Sequence, residues 1–413
     1  MNLYIFNQTR RHGSMYGVGS YIRELTVALK DTTIKISVVT LTSEKPQIQS
    51  EEIEGIQYWY FPTPIQWMEN SPEQWALYYR NIVYLLRLHI KDKNGLIFHI
   101  NYMECKPLAD ALKIFFDCKT VLVVHYLRSV MTLSGNINQL RKIISQSDKP
   151  KNTEEIAAKE SFLREMELLQ SRAVDKIICL SNHTFDMLYQ DYQIEKRKMT
   201  VIYNGLSDMK KPESDIRLLR KKWHVSSEEK IILFVGRLND AKGLGYLTKA
   251  FRKLLDEFPN SRLMIAGNGN YDTYLQDTKD ICTKITFTGF LYKEELCELY
   301  QIADIGVVSS LFETFGYVAV EMMMFGLPVV STATSGLNEV VADSCGLKTP
   351  VTILPDRMEI DIPLLSEKIL YLLQHPIKAK QMGLNGRTRY LERYSIPAFK
   401  RNMFDFYYSL LNN

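Results

Sequence analysis

The sequence predicts an α/β protein of two domains, each built on a parallel sheet. Three observations carry that expectation. Short apolar runs alternate with amphipathic helical patterns along the whole chain, which is the order that parallel sheets require. The 413 residues suffice for two domains of about 200 residues, each able to bury a core of its own. A polar, charged stretch over 206–229 separates the two series of strands.

In the first half, strands are expected at 3–6, 34–41, 96–100, 120–126, 176–180 and 200–203. A polar loop with Arg10, Arg11, His12 and Gly13 follows the first of them. Gly17-Val18-Gly19-Ser20 then opens a helix over 21–30, with Ile22, Leu25, Ala28 and Leu29 on one face. The stretch 57–90 is rich in aromatics, among them Tyr58, Trp59, Tyr60, Trp67, Trp75 and Tyr84. After Pro72, the residues Trp75, Tyr79, Ile82, Leu85, Leu86 and Leu88 follow a helical period. Either a helix packs there on the first sheet, or its exposed members form a sugar- or lipid-binding patch. Between Arg128 and Arg172, charges of both signs read as a solvated insertion.

The second half repeats the plan, with strands expected at 231–235, 262–266, 285–288, 305–308 and 329–331. A local helix over 215–224 sits in the linker. A last helix over 395–411 carries Phe399, Met403, Phe406, Tyr407 and Leu410 at helical spacing. The expected domains are therefore 1–205 and 206–394, with 395–413 as a terminal helix.

Composition narrows the function. Hydrophobic residues make up 46% of the chain, so a packed fold is expected over disorder. A formal net charge of +4 is too balanced for nucleic acid to be the main partner. The six cysteines are scattered without C-x-x-C spacing, which speaks against zinc and a disulfide framework and fits a reducing cytosol. The N-terminus lacks the apolar length of a signal peptide, and no apolar run reaches the ~20 residues that span a bilayer. A cytoplasmic protein, at most peripheral to the inner face of a membrane, is expected.

Two segments carry chemistry. The run 309–331 reads SSLFETFGYVAVEMMMFGLPVVS, and its helix over 317–325 is apolar on every side except for Glu321. Such a helix should be buried, and a carboxylate there needs a partner. Eight residues earlier stands Glu313, followed after Thr314 and Phe315 by Gly316, which allows a tight turn into an open helix start. Two carboxylates suit hydroxyl groups, and a helix start at Gly316, Tyr317 and Val318 suits an anion. A sugar joined to phosphate has both. The competing reading is a core helix whose glutamate snorkels to solvent or meets a structural arginine. The second segment, KIILFVGRLNDAKGLG over 230–245, sets Arg237 at a strand end and Lys242-Gly243 five residues on, before a helix. A planar fork and a flexible point charge beyond the carboxyl end of a strand suit a diphosphate.

In order along the chain, the second half shows Asn204-Gly205, FVGRL, Lys242-Gly243, RLMIAGNGN, ITFTGFL, LYQIADIGVVSSLFETFGYVAVE, FGLPVV and TSGLNEVV. This series resembles the group 1 (family 4) retaining glycosyltransferases of GT-B fold, and the first half matches more weakly. The resemblance implies two Rossmann-like domains facing each other across a cleft, with the C-terminal helix crossing back to the N-terminal domain. It implies a nucleotide-diphosphate sugar as donor and a glycan, glycolipid or other acceptor. Arg237 and Lys242 would hold the leaving diphosphate, Glu321 the ribose and Glu313 the donor sugar. Phe290 and Leu291 would lie against the base. His125, after the apolar run VLVV, matches a histidine that touches the transferred sugar, or is a satisfied structural residue. Gly17 and Gly19 resemble the family's glycine-rich loop, though the family often has adjacent glycines there; they bind phosphate or simply allow close strand–helix packing. Ser181 and Asn182 either line the cleft or cap the following helix.

No D-x-D occurs in the chain, so no metal is expected to bridge the diphosphate and no cofactor is implied. A GT-B epimerase acting on a nucleotide sugar, and a non-catalytic nucleotide-sugar-binding partner of a transferase, remain as rivals. A Rossmann dehydrogenase does not fit, because no G-x-G-x-x-G with an acidic partner follows the first strand.

Overall fold

A strand buried on both faces must be apolar at nearly every position, and the chain supplies such strands in two sets. The computed structural model describes residues 1–8, 17–62, 71–145, 150, 152–210 and 215–412. It divides into two units, one of Met1–Met131, Ile143–Gly205 and Ile396–Asn413, the other of Thr132–Lys142 and Leu206–Ser395.

The first unit is an eight-stranded sheet of β1 (Asn2–Gln8), β2 (Lys35–Ser43), β3 (Gln49–Ile53), β4 (Ile56–Pro62), β5 (Leu96–Ile100), β6 (Lys119–Val124), β7 (Lys176–Cys179) and β8 (Met199–Val201). The order is β3-β4-β2-β1-β5-β6-β7-β8. Every pair is parallel except the β3–β4 hairpin. That hairpin was not expected. Its turn, Glu54-Gly55, has positive φ at both residues, 50° and 77°, as a two-residue hairpin turn demands. β6 ends at Val124, so His125 and Tyr126 lie in the loop beyond it and not in the strand.

The helix Pro72–His89 starts at Ser71, whose side chain accepts from Gln74 N. It packs on the sheet through buried Tyr79, Ile82, Val83 and Leu86, and Trp59 of β4 meets the His89 ring at 4.8 Å. Leu88 departs from the expected apolar stripe. It stands two residues past Leu86, about 200° around the helix, and is exposed. Trp67 lies outside the described residues, as do Arg10, Arg11, His12 and Gly13.

The stretch 128–172 is not a solvated insertion. It folds into the helices Arg128–Thr132, Ile137–Ser145 and Thr153–Gln170. Ala158, Phe162, Leu168 and Leu169 are buried, and the charges that suggested solvent occupy the outer face. Glu165 is buried too. It accepts from Ser129 Oγ at 2.5 Å, Ser129 N at 3.3 Å and the Tyr192 hydroxyl at 2.9 Å. Residues Thr132–Lys142 belong to the second unit, where Asn136 Nδ2 donates to Leu354 O at 2.8 Å.

The last helix, Ile396–Asn412, belongs to the first unit and packs on the helix Val18–Leu29. Its Phe399, Met403 and Tyr407 are fully buried. Tyr407 and Tyr21 grip His99 of β5 from its two sides, the hydroxyls lying 2.8 Å from Nδ1 and 3.2 Å from Nε2. A neutral imidazole has one donor and one acceptor nitrogen, so both are satisfied without a proton being added.

The second unit holds β9 (Lys230–Val235), β10 (Ser261–Ala266), β11 (Ile285–Gly289), β12 (Ile305–Val308), β13 (Val329–Thr332) and β14 (Gly346–Thr349). All are parallel, in the order β11-β10-β9-β12-β13-β14. β14 was not expected, since Gly346-Leu-Lys-Thr carries no apolar run. In the linker, Asp215 caps the helix Ile216–Lys222 by accepting from Arg217 N. Chain order reverses between β9 and β12, which opens a crevice at their carboxyl ends.

Burial pushes the imidazoles of His99 and His125 down to about 3, against about 6.5 in an unfolded chain. Below pH 6.5 the unfolded state therefore takes up protons that the folded state refuses. Stability should be full above that pH and fall as pH drops toward 3, by up to about 1.4 kcal/mol per pH unit for each histidine. Urea unfolding of the wild type and of His99→Gln between pH 7 and 5 measures this. The variant should lose about one proton's worth of slope, whatever its stability at pH 7; an unchanged slope would show that His99 titrates normally.

Candidate active site

The crevice between β9 and β12 is built by backbone contact. Gly243 has φ 67°, and a Cβ on it would stand 1.9 Å from Ser309 O, so only glycine lets the two loops meet. Leu311 N donates to Ala241 O at 2.9 Å and Ser309 Oγ to Lys242 O at 3.0 Å. Asn239 caps the turn Asp240–Lys242 by accepting from Lys242 N. The Lys242 side chain starts from a loop fixed on both sides. Its ammonium pairs with Glu313 Oε1, to which Ser310 Oγ also donates at 2.9 Å. Both charged side chains are largely buried, 23% and 18% exposed, which strengthens their attraction over that of a surface pair.

Glu313 is held as firmly at its backbone. Its N–H donates to Ser335 Oγ at 2.9 Å, and its carbonyl accepts from Ser335 Oγ at 2.7 Å and Gly336 N at 2.9 Å. Ser335 adopts φ 36°, a left-handed conformation that costs a non-glycine residue energy and is sustained here by those bonds. Arg237, first after the β9 turn at Gly236, is exposed, and its guanidinium has no partner among the described residues. A Cβ on Gly236 would lie 3.9 Å from Lys242 Cγ, so the two cations leave neighbouring points of one loop.

Gly316, at φ 101°, turns the chain into the helix Tyr317–Phe325, whose start has no side-chain cap. The first N–H groups of a helix have no partner within it, so Tyr317 and Val318 present donors at its positive end. The expectation of burial on all sides is corrected. Ala319, Val320 and the four residues from Met322 to Phe325 are buried, whereas Tyr317, Val318 and Glu321 are half-buried. Spacings of one, three and four place those three on one side, which makes an open stripe. Glu321 Oε2 accepts from the Tyr300 hydroxyl at 2.7 Å. Burial, and then the Glu321 charge, push the Tyr300 phenol well up. Phe290 and Leu291 follow β11 at the same carboxyl edge of the sheet; both are half-buried, and Phe290 stands edge-on to Tyr292 at 5.4 Å.

In the first unit, Gly17 (φ 50°) begins the helix Val18–Leu29 and Gly19 lies in its first turn, again with no side-chain cap. His125 Nε2 lies 3.0 Å from Asn101 Oδ1, and Asn101 Nδ2 donates to Phe6 O at 3.1 Å. The carbonyl of Phe6 can only accept, so the Asn101 amide nitrogen faces it and its oxygen faces the histidine. His125 therefore carries its proton on Nε2 and keeps Nδ1 as an acceptor. The ring of Tyr21 stands edge-on to it at 4.7 Å. Ser181 caps the helix Asn182–Gln190 by accepting from Thr184 N, and Asn182 Nδ2 donates to the Tyr203 hydroxyl at 2.9 Å.

Thus Lys242 and Glu313, expected to serve separate parts of a ligand, hold each other. Ser310, Ser335, Tyr300 and Asn101 were not singled out by the sequence. The first three stand inside quoted motifs, and Asn101 gave no signal of its own.

Residues 215–389 match the family model of the group 1 glycosyl transferases, and residues 15–208 that of glycosyltransferase family 4. Structurally, the chain is similar to sucrose-phosphate synthase from Thermosynechococcus elongatus, with a TM-score of 0.76 at 20% identity over 100% of this chain and 99% of that one. It is also similar to Anabaena HepE in complex with UDP-glucose, with a TM-score of 0.71 at 17% identity over 99% and 100%. The chain belongs to the group 1/family 4 glycosyltransferases and has their GT-B fold. An uncharacterized glycosyltransferase of Methanocaldococcus jannaschii is 36% identical over 186 residues, 43% of this chain and 47% of that protein. This chain spans less than half the length of the first curated relatives it matches.

Gly243→Ala should separate the two loops. Overlap with a carbonyl, together with a strained φ, should cost about 2 kcal/mol or more of stability. It should also displace Lys242. Urea unfolding gives the first quantity, and titration with nucleoside diphosphates the second; a variant as stable as wild type would mean that the loops do not approach this closely.

Proposed function

We propose that the protein is a glycosyltransferase (EC 2.4 class) that moves a sugar from a nucleotide-diphosphate sugar to a glycan, lipid-linked or other acceptor, with retention of anomeric configuration. The observation that carries this reading is the Lys242–Glu313 pair in the β9/β12 crevice, with Arg237 on the same loop lacking a partner among the described residues. Breaking a sugar–phosphate bond puts negative charge on the diphosphate and positive character on the anomeric carbon. Arg237, Lys242 and the open helix start at Gly316, Tyr317 and Val318 are placed to stabilise the first. On donor binding the diphosphate takes Lys242, and Glu313 is released to accept from hydroxyls of the sugar. Glu321 takes the ribose hydroxyls, and Phe290 and Leu291 flank the base. In the first unit, neutral His125 offers Nδ1 to a hydroxyl of the transferred sugar, and Gly17 and Gly19 mark a second open helix start.

HepE binds UDP-glucose, which makes UDP-sugars the first donors to test. Retention, by attack on the face the diphosphate leaves, follows the family. The reading includes a cytoplasmic setting, a role in cell-surface polysaccharide biosynthesis, and no metal or other cofactor. An epimerase would consume donor alone, so turnover that depends on acceptor separates the two activities.

Lys242→Ala should lower turnover by roughly 100-fold or more. Glu321→Gln keeps an acceptor for Tyr300, so its melting temperature should stay close to wild type while nucleotide affinity falls by about 1–3 kcal/mol. Calorimetry and titration with UDP and GDP read both. Full turnover in the first variant, or undiminished affinity in the second, would remove that residue from the site.

Activity should also persist in excess EDTA. Loss that added magnesium or manganese restores would replace the metal-free reading.

A further inference from the structure

The helix Pro72–His89 buries one side and turns the other to solvent, and the outer side is not an ordinary polar face. Leu77 is 47% exposed, Tyr84 46% and Leu88 72%. At spacings of seven and four they share one face. The next helix, Lys106–Phe115, adds Ile114 at 75%. Tyr84 and Phe115 join the two helices, their rings 4.6 Å apart. Single exposed leucines need no explanation, but a contiguous apolar face does.

Cations are interleaved with these groups. Arg80 and Arg87 stand on the same side of the helix and Lys91 follows it, all three exposed. None of them has an ion-pair partner among the described residues, whereas Lys106 and Lys113 of the neighbouring helix pair with Asp110 and Asp175. The Arg87 guanidinium lies over the Phe115 ring at 5.9 Å, which keeps it beside the apolar groups. The helix has one carboxylate, Glu73 in its first turn, which accepts from Ser71 Oγ at 2.9 Å. No helix of the described residues is long and apolar enough to cross a membrane.

We propose that this face docks on an anionic lipid surface. Leu77, Tyr84, Leu88 and Ile114 enter the boundary between headgroups and acyl chains, and Arg80, Arg87 and Lys91 meet the headgroup phosphates. A helix of 18 residues lying flat offers about 27 Å of contact. Apolar groups and unpaired cations on the outer side of a helix are the two components of interfacial binding. A rigid protein partner would need carboxylates matched to each cation, whereas a fluid leaflet supplies negative charge at any spacing. The contact does not depend on the transferase reading and is measured without donor or acceptor.

The test is flotation of the full chain with vesicles of phosphatidylcholine alone, and of phosphatidylcholine mixed with phosphatidylglycerol. Wild type should float with the mixed vesicles and not with the neutral ones, and high salt should weaken binding. Arg80→Gln/Arg87→Gln should weaken partitioning roughly 10-fold or more, at about fivefold per cation. Leu88→Ser/Ile114→Ser should weaken it comparably, with an unchanged melting temperature in both. Lys249→Gln/Lys253→Gln, which removes two exposed lysines of the second unit, should bind as wild type. No binding to anionic vesicles at low salt would overturn the proposal, as would equal loss in the control variant. A homodimer that Leu88→Ser/Ile114→Ser disperses would assign the face to a second copy of the chain instead.

Discussion

The close approach of two loops at the β9/β12 crevice is the constraint from which the candidate site follows. Reversal of chain order between β9 and β12 leaves their carboxyl ends uncovered. An open sheet edge alone would hold nothing in register. What fixes the geometry is Gly243 lying against Ser309 O, with Ala241 and Lys242 bonded to the β12 loop. Lys242 leaves one side of that seam and Glu313 follows the other, so they meet without either side chain choosing among many positions. Preorganisation of this kind lets charge act on a reacting group without reorganisation at the moment of reaction.

The charge balance at the seam accounts for a site that is stable as it stands and is compatible with the proposed binding of a diphosphate. Two unit charges about 4 Å apart attract by about 4 kcal/mol at an effective dielectric near 20, and desolvation takes back part of this. Lys242 is thereby kept in place by Glu313. A diphosphate carries more charge than one carboxylate and, on the proposed reading, would also attract Arg237, which has no partner among the described residues to give up. On the proposed reading such an exchange would favour the ligand and would leave Glu313 as an acceptor for sugar hydroxyls. Glu321 differs. Its Oε2 accepts a hydrogen bond from the neutral Tyr300 hydroxyl, and with Tyr317 and Val318 it forms the half-buried stripe of the helix Tyr317–Phe325.

Apolar continuity made most of both sheets legible, because a strand covered on both faces has few alternatives. β14 escaped for the opposite reason: Gly-Leu-Lys-Thr is held by its pairing with β13 and not by its own composition. The hairpin β3–β4 was marked by Glu54-Gly55, a turn signal that the density of aromatics around it masked. Charges misled the reading of 128–172, where the periodicity of Ala158, Phe162, Glu165 and Leu169 places one carboxylate inside. Leu88 misled through its residue type alone. At the site, Glu313, Glu321, Arg237 and Lys242 could be named from motif spacing. Their pairings could not, since the sequence does not show that a lysine and a glutamate 71 positions apart share one hydrogen-bonded seam.

The first unit shows the same logic in a neutral form. Its own order reversal lies between β1 and β5, and Asn101 stands just beyond β5 with its amide locked by Phe6 O. That lock sets the tautomer of His125, and burial keeps the ring uncharged. Behind it, His99 is closed in by Tyr21 and by Tyr407 of the terminal helix. Protonating His99 would place a charge in a fully buried site and beside His125. The terminal helix thus does more than cover apolar surface. Its Tyr407 bonds one nitrogen of His99 while Tyr21 takes the other, and it is the burial of the ring beneath this cover that holds His99 neutral under His125.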